Sequence, residues 1–136
     1  MRKEVHEPLM RIYFLPFGIV TYLPITMSNI EETSDYAIWF MKKHPPEEGE
    51  HPFISKIQKL LQSRPVRVAI NEFAIRLKVV LNNDVFFVDQ NGIVLEKSSG
   101  KTFSLSKPQM EEIENDIKYF SGVIDIRASK DVVLPK

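Results

Sequence analysis

Apolar and polar positions alternate in the middle of the chain in the manner of strands. The alternation runs from Val66 to Ile70 and again from Ile75 to Val79. A period of two is typical of a strand with one buried face. The pattern therefore predicts either two strands that turn at Asn71-Glu72 or one long strand that bends there with a bulge.

An antiparallel meander is predicted to continue from this segment. Residues 85–88 are apolar at every position, as expected for a central strand that is buried on both faces. Asn91-Gly92 is a strong type I′ hairpin signal, because both residues of that turn need positive φ. Strands at 93–96 and 102–105 then continue the sheet through a turn at Ser99-Gly100.

The first part of the chain contains shorter signals. Residues 11–15 and 19–23 are apolar runs rich in aromatic and β-branched residues, and they predict two strands separated by a bend at Pro16-Phe17-Gly18. Residues 28–31 match a capping box and predict a helix start. Residues 35–43 have no decisive period, and a helical turn followed by a strand is favoured over a longer helix.

Two amphipathic helices are predicted in addition. The first begins at Pro52, which suits the first helical position, and ends before Pro65. The second follows the N-cap Ser106, where Gln109 completes a capping box. Its apolar stripe consists of Met110, Ile113, Ile117 and Phe120. Residues 123–126 predict one more short strand, and the last residues are expected to be loose.

These elements predict an α+β fold in which helices pack on one face of an antiparallel β-meander. The chain has 136 residues, with no internal repeat and no linker. We therefore expect a single domain over residues 1–136, with about eight mobile residues at the N-terminus and a few at the C-terminus.

Composition narrows the classes of function. The chain contains no cysteine, which excludes disulfides, thiolate nucleophiles and cysteine-ligated metals. Arg11, Pro16 and Gly18 interrupt the apolar stretch 9–24, so neither a signal peptide nor a membrane span is predicted. We expect a cytoplasmic protein that does not bind membranes.

Charge is balanced overall but segregated along the chain. The net charge is zero, which argues against a nucleic-acid-binding protein. Residues 27–51 carry a net charge of −4, whereas residues 52–107 carry +5. The basic side chains that could form an anion or RNA site are Arg64, Arg67, Arg76 and Lys78. Phe86 and Phe87 are expected in the core rather than stacked on bases.

The densest group of acids is the candidate partner-binding surface. It consists of Glu31, Glu32, Asp35, Glu47, Glu48 and Glu50. Carboxylates in this number can meet a basic partner, such as the substrate cleft of a nuclease, and accelerate association. The alternative is an ordinary solubilising surface, which is the commoner role of charged runs.

Local motifs for catalysis are missing from the sequence. There is no phosphate-binding loop, nucleophile elbow, paired-histidine metalloprotease motif or calcium loop. His44 and His51 flank a glutamate-rich loop, but their spacing matches no regular metal scaffold, so a solvated loop is favoured. We predict no catalytic residue, no metal and no cofactor.

The aromatic residues Tyr13, Phe14, Tyr22 and Trp39 either line a pocket in a curved sheet or pack in the core.

Five short segments carry a resemblance to a known family: Tyr13–Tyr22, Ile25–Ile30, Val66–Val68, Phe87–Val94 and Phe103–Leu105. Together they resemble small bacterial immunity proteins encoded beside contact-dependent growth inhibition or polymorphic toxins. The resemblance implies a non-enzymatic protein that binds one cognate toxin, for example a nuclease domain, and occludes its active site. No functional residue carries over by position.

Two other functions remain open from the sequence. A cystatin-like or NTF2-like module would enclose a small apolar ligand in a pocket of a few hundred Å³ lined by aromatic side chains. An enzyme without a recognisable local motif is the third, and it would bring His and carboxylate side chains together in a cleft.

Overall fold

A computed structural model describes residues 8–41, 51–123 and 132–135. Its strands are β1 (Pro8–Phe14), β2 (Tyr36–Met41), β3 (Pro65–Val66), β4 (Ile75–Leu81), β5 (Asp84–Asp89), β6 (Ile93–Glu96), β7 (Thr102–Ser104) and β8 (Val132–Val133). Its helices are α1 (Ile30–Thr33), α2 (Pro52–Leu61) and α3 (Lys107–Val123). None of these helices is long and apolar enough to cross a membrane.

All eight strands belong to one antiparallel sheet, in the order β3-β7-β6-β5-β4-β1-β2-β8. The segment from β4 to β7 is a meander of neighbouring strands, as predicted. The α+β class is therefore confirmed.

The main core lies between the sheet and the helices α2 and α3. Helix α2 follows β2 near one edge and leads to β3 at the opposite edge, while α3 follows β7 and leads back towards β8. Their inward side chains and those of the sheet form one cluster, which includes Ile12, Phe14, Phe40, Ile57, Leu61, Leu77, Val79, Ile113 and Ile117. Each of these nine side chains has essentially no solvent exposure, so little space remains between the two layers.

A smaller cluster covers part of the opposite face of the sheet. Ile30 of α1 packs there with Ile25 and with sheet residues such as Tyr13, Ile75 and Phe87. The one-turn helix α1 thus contributes to this second face, while α2 and α3 share the first as predicted.

Polar contacts join the two helices to each other and α2 to the sheet. Nζ of Lys56 on α2 donates to Asp116 Oδ2 at 2.7 Å and lies 2.9 Å from Glu112 Oε1, both on α3. The hydrogen bond to Asp116, followed by that to Glu112, raises the pKa of Lys56 above its usual 10.5. Glu96 of β6 is buried and accepts from Gln62 Nε2 at 2.6 Å, which anchors the end of α2 to the sheet.

Two predicted strands are wrong. Residues 19–23 pair with no strand in the described chain and form an exposed loop instead. Of residues 66–70, only Val66 enters a ladder, and it pairs with Thr102 of β7 rather than with β4. Because β3 lies at the far edge of the sheet, the chain must cross back to reach β4, and neither predicted arrangement at Asn71-Glu72 occurs.

The turn and cap predictions have mixed outcomes. The hairpin at Asn91-Gly92 exists, but only Gly92 has positive φ (+84°), so the turn is not type I′. Instead, Asp89 Oδ1 accepts from the backbone N–H of Asn91 and of Ile93. The capping box of α3 is confirmed: Ser106 N donates to Gln109 Oε1 at 2.9 Å and Gln109 N to Ser106 Oγ at 3.3 Å.

The box predicted at residues 28–31 is wrong. The N-cap of α1 is Asn29, which makes no capping bond into the helix. Its Oδ1 accepts instead from Thr26 N at 2.7 Å, and its amide donates to Pro24 O. The asparagine therefore stabilises the turn before the helix rather than the helix itself.

The ends of the remaining predicted elements can be compared in part. Strand β2 confirms the predicted strand up to Met41, and α2 begins at Pro52 as predicted. Val123, the first residue of the strand predicted at 123–126, ends α3, and the rest of that strand and most of the loop at 44–51 lie outside the described residues. Residues near the C-terminus were expected to be loose, yet β8 pairs with β2 through Val133 and Trp39.

Candidate functional site

The predicted acidic surface is only partly available for a partner. Glu31 Oε1 is 2.9 Å from Nζ of Lys78, which also lies 5.6 Å from the centre of the Phe87 ring. Glu32 and Asp35 are exposed. The other three predicted acids, Glu47, Glu48 and Glu50, lie outside the described residues. Of the three predicted partner-binding acids that the structure describes, Glu31 is thus paired with a lysine of the same chain.

The four basic side chains that could form an anion or RNA site are not brought together. Lys78 is paired with Glu31, and Arg76 is buried with 3% of its surface exposed. Arg64 and Arg67 are exposed beside β3, at the far edge of the sheet. The four side chains therefore do not converge on one anion.

Of the two histidines that flank the predicted loop at 44–51, the structure describes one. His44 lies outside the described residues. His51 is the N-cap of α2, where its Nδ1 accepts from Phe53 N at 3.1 Å. Its ring also packs against Phe40 and Phe120. Within the described ranges, no three His, Asp or Glu side chains are grouped to hold a metal ion.

The four aromatic residues suggested for a ligand pocket are dispersed. Phe14 belongs to the main core, whereas Tyr13 belongs to the cluster on the opposite face. Tyr22 is fully exposed, and Trp39 is half-buried on β2 beside β8. These positions do not favour a shared aromatic pocket.

Large apolar side chains are exposed together at one end of the sheet. The exposed fractions are 91% for Val20, all of Tyr22, 75% for Leu23 and 67% for Phe73. The same four residues line one cavity, so they lie side by side. We call Val20, Tyr22, Leu23 and Phe73 the apolar loop surface.

Backbone bonds attach both segments of this surface to the sheet. Ile25 N donates to Phe73 O at 3.1 Å, and Ile75 N donates to Ile25 O at 2.9 Å. These bonds place Ile25 beside Ala74 in a short parallel bridge. Between Ile19 and Pro24 the loop has one internal bond, from Thr21 Oγ1 to Leu23 O. The loop is therefore fixed at its ends, while its apolar tip faces solvent.

Arg76 makes a hydrogen bond to the beginning of the loop. It occupies the bulge in β4 between Ile75 and Leu77. Its backbone carbonyl accepts from Leu15 N at 2.8 Å, and its Nη2 donates to Ile19 O at 3.1 Å. Burial lowers the pKa of Arg76, and the nearby charge of Asp89 opposes that effect. One buried side chain thus contacts both the sheet and the loop.

Asp89 accepts hydrogen bonds from two neighbouring segments. Its Oδ2 accepts from Asn71 N at 2.8 Å, while its Oδ1 accepts from the two N–H groups of the 91–93 hairpin. Only 1% of Asp89 is exposed. Hydrogen bonds from backbone N–H groups satisfy the oxygens of a carboxylate that is buried away from water. Asp89 therefore connects the loop carrying Phe73 to the end of β5.

A cavity of about 310 Å³ lies within this arrangement. Its walls are Val20, Thr21, Tyr22, Leu23, Pro24, Phe73, Ala74, Arg76 and Gln90. A larger cavity of about 650 Å³ lies between β3 and β7 at the sheet edge, lined in part by Arg67 and Lys101. Only the smaller one combines an exposed apolar rim with a buried charge.

Sequence reasoning missed both the exposed tip and the buried arginine. Residues 19–23 are apolar and read as a strand, but they lie between Gly18 and Pro24, both of which disfavour continuous pairing. Arg76 occupies a polar position in an alternating strand, and the bulge that turns it inward has no signal in the sequence.

Comparison with known proteins finds no matching family model, no matching curated protein and no matching solved structure.

Proposed function

We propose that this chain is a non-catalytic immunity protein that binds and neutralises a cognate bacterial toxin domain in the cytoplasm. The observation that supports the proposal is the apolar loop surface. Soluble proteins rarely expose adjacent large apolar side chains, and where they do, the patch usually marks an interaction site. The resemblance described above supports a toxin as the partner.

The composition of this surface fits a binding site for a protein. Tyrosine is enriched among the residues that dominate binding energy, because it combines a rigid apolar ring with a hydroxyl. Tyr22 is fully exposed and lies beside Leu23 in a loop whose two ends are fixed to the sheet. Because its ends are already fixed, only the tip at 20–23 loses conformational freedom on binding, which favours affinity.

The main contact with the toxin in this proposal is the apolar loop surface and not the acidic residues. Glu31 is already paired, and an interface needs a desolvated centre in addition to charge. The remaining acids can still surround that centre as a polar rim. Rim charges act mainly on the association rate and on its dependence on salt.

The test uses the toxin domain encoded beside the gene for this chain. We expect a stoichiometric complex that survives high salt and cells that survive expression of the toxin. Tyr22→Ser combined with Leu23→Ser is expected to weaken binding by about 30-fold or more, since central aromatic contacts contribute roughly 2 kcal/mol each. The matched control is Tyr119→Ser, because Tyr119 is 64% exposed on α3, away from the loop.

Two outcomes would contradict the proposal. Failure of the folded wild-type protein to bind or protect would remove the immunity function. Equal binding by the double variant and by the Tyr119 control would remove the apolar loop surface as the contact. Charge reversal at Glu47, Glu48 and Glu50 is expected to slow association without abolishing the complex, so loss of the complex there would return the main contact to the acids.

A further inference from the structure

Arg76 is a buried cation whose hydrogen-bonding capacity is only partly used. A guanidinium group has five N–H donors. Nη1 donates to Ile75 O at 3.0 Å and Nη2 to Ile19 O at 3.1 Å, whereas the buried Nε has no partner among the described residues. A buried donor without an acceptor is costly, so such a group is a candidate for an additional ligand.

Asp89 does not neutralise this cation by direct contact. Three backbone N–H groups occupy its two oxygens, and no ion pair joins it to Arg76 in the described part of the chain. Asp89 lowers the electrostatic cost of the buried charge from a distance. Arg76 lines the cavity, and its Nε–H keeps a donor without an acceptor among the described residues.

We propose that the cavity beside the apolar loop surface receives the carboxylate of an Asp or Glu side chain from the partner protein, with Arg76 as its cationic wall. The inference rests on the proposed function and specifies the chemistry that the same surface recognises. Arginine binds carboxylates through parallel N–H bonds, and charge-assisted bonds of this kind are stronger than neutral ones.

The apolar rim favours this ligand chemistry. When a partner covers Tyr22, Leu23 and Phe73, water is excluded from the cavity and the attraction between the two charges increases. The rim residues come from two segments that are distant in the chain, the loop at 20–23 and the turn at Phe73. An acid inside an apolar segment therefore fits better than a chain terminus, which has neighbours on one side only.

The loop can adjust to such an occupant. Only one hydrogen bond lies within its tip, from Thr21 Oγ1 to Leu23 O, and its apolar side chains face solvent. A small displacement of the tip therefore breaks few contacts, while Ile25 keeps its bonds to Phe73 and Ile75.

The direct test titrates short peptides into the ¹⁵N-labelled wild-type chain and follows the Arg76 Nε–H signal by NMR. The probe is the capped tripeptide leucine–glutamate–leucine. Its glutamine counterpart removes the charge, and capped leucine–leucine with a free C-terminal carboxylate represents a chain end. We expect the glutamate peptide to shift the Arg76 signal and the amides of residues 20–23 together, and to bind about tenfold or more tightly than the other two.

Equal binding of the glutamate and glutamine peptides, or an Arg76 signal that does not move, would overturn the inference. A preference for the free chain end would overturn the choice of a side-chain acid. Because these arms use the wild-type protein, they do not depend on whether an Arg76 variant folds.

Variants provide the second measurement. Arg76→Gln is expected to abolish the preference for the glutamate peptide, and the exposed Arg67→Gln is expected to leave it unchanged; circular dichroism checks the fold of both. If Arg67→Gln removes the preference instead, Arg76 is not the recognising group. The two proposals fail separately: toxin binding that is sensitive to Tyr22 and Leu23, without a charge preference, keeps the proposed function and rejects only the carboxylate.

Discussion

Nζ of Lys78 lies 2.9 Å from Oε1 of Glu31, across the space between the sheet and α1. Lys78 is the more buried partner, with 17% of its side chain exposed against 43% for Glu31. The pair fixes the short helix α1, which has only one turn and no side-chain capping bond. Glu31, which the sequence predicts on a partner-binding surface, thus stabilises the fold.

We expect Glu31→Gln to lower the free energy of unfolding by about 0.5–1 kcal/mol, because it leaves Lys78 without its counter-charge. Glu32→Gln is the control, since Glu32 is exposed and has no ion-pair partner among the residues that the structure describes, and it should change stability little. Urea denaturation measures both. Equal stability of the two variants would show that the Lys78 pair contributes nothing measurable.

Two serines that look alike in sequence are expected to behave differently. Ser106 caps α3 through its hydroxyl, so Ser106→Ala should destabilise the protein by about 1 kcal/mol. Ser28 bonds only to Thr26 Oγ1 at the surface, so Ser28→Ala should have little effect. Thermal unfolding of the two variants provides the comparison, and a greater loss for Ser28→Ala would contradict the described caps.

Two glycines with positive φ separate backbone strain from steric contact. A Cβ on Gly92 would lie 2.7 Å from Met110 Sδ and 3.0 Å from Leu105 O, whereas a Cβ on Gly100 would meet nothing within 4 Å. Alanine at either site should cost about 1–2 kcal/mol from backbone strain. We expect Gly92→Ala to cost more than Gly100→Ala in chemical denaturation. Equal costs would mean that Met110 moves aside freely.

The contact between α2 and α3 predicts a dependence on pH. Because the folded state raises the pKa of Lys56 above 10.5, its contribution to stability is fully present below that value and is lost as the pH rises through the folded pKa. Lys56 is 41% exposed, so solvent screening keeps the contribution below about 1 kcal/mol. The stability difference between wild type and Lys56→Gln should shrink from pH 8 to strongly alkaline pH. An undiminished difference would assign it to packing of the lysine stem.

Elements with strong local signals could be predicted from the sequence. In the meander at 75–104, residues 75–79 alternate, residues 85–88 are apolar throughout and the turns are short, and α3 has a complete capping box, so local preference and tertiary structure agree. The failures lie where distant residues decide the structure. Residues 19–23 resemble a strand, but pairing needs a free neighbouring edge, and β4 already pairs with β1 and β5.

The candidate site illustrates the same limit. Its acids were recognised from charge alone, and composition does not reveal that Glu31 is paired with a lysine 47 positions later. The burial of Arg76 depends on a bulge and on a loop folded over it, which join segments that are distant in the chain. The apolar pattern at 19–23 predicts a strand in the sheet, whereas the structure exposes the tip of this segment to solvent.

The position of β1 in the sheet has a consequence for synthesis of the chain. Strand β1 pairs with β2 on one side, but its other neighbour is β4, which ends at Leu81. During translation, Met10 and Phe14 emerge long before the strand and the helices that cover them. Strand β1 therefore lacks its second neighbour until β4 has been made, which makes its apolar side chains a natural binding site for chaperones.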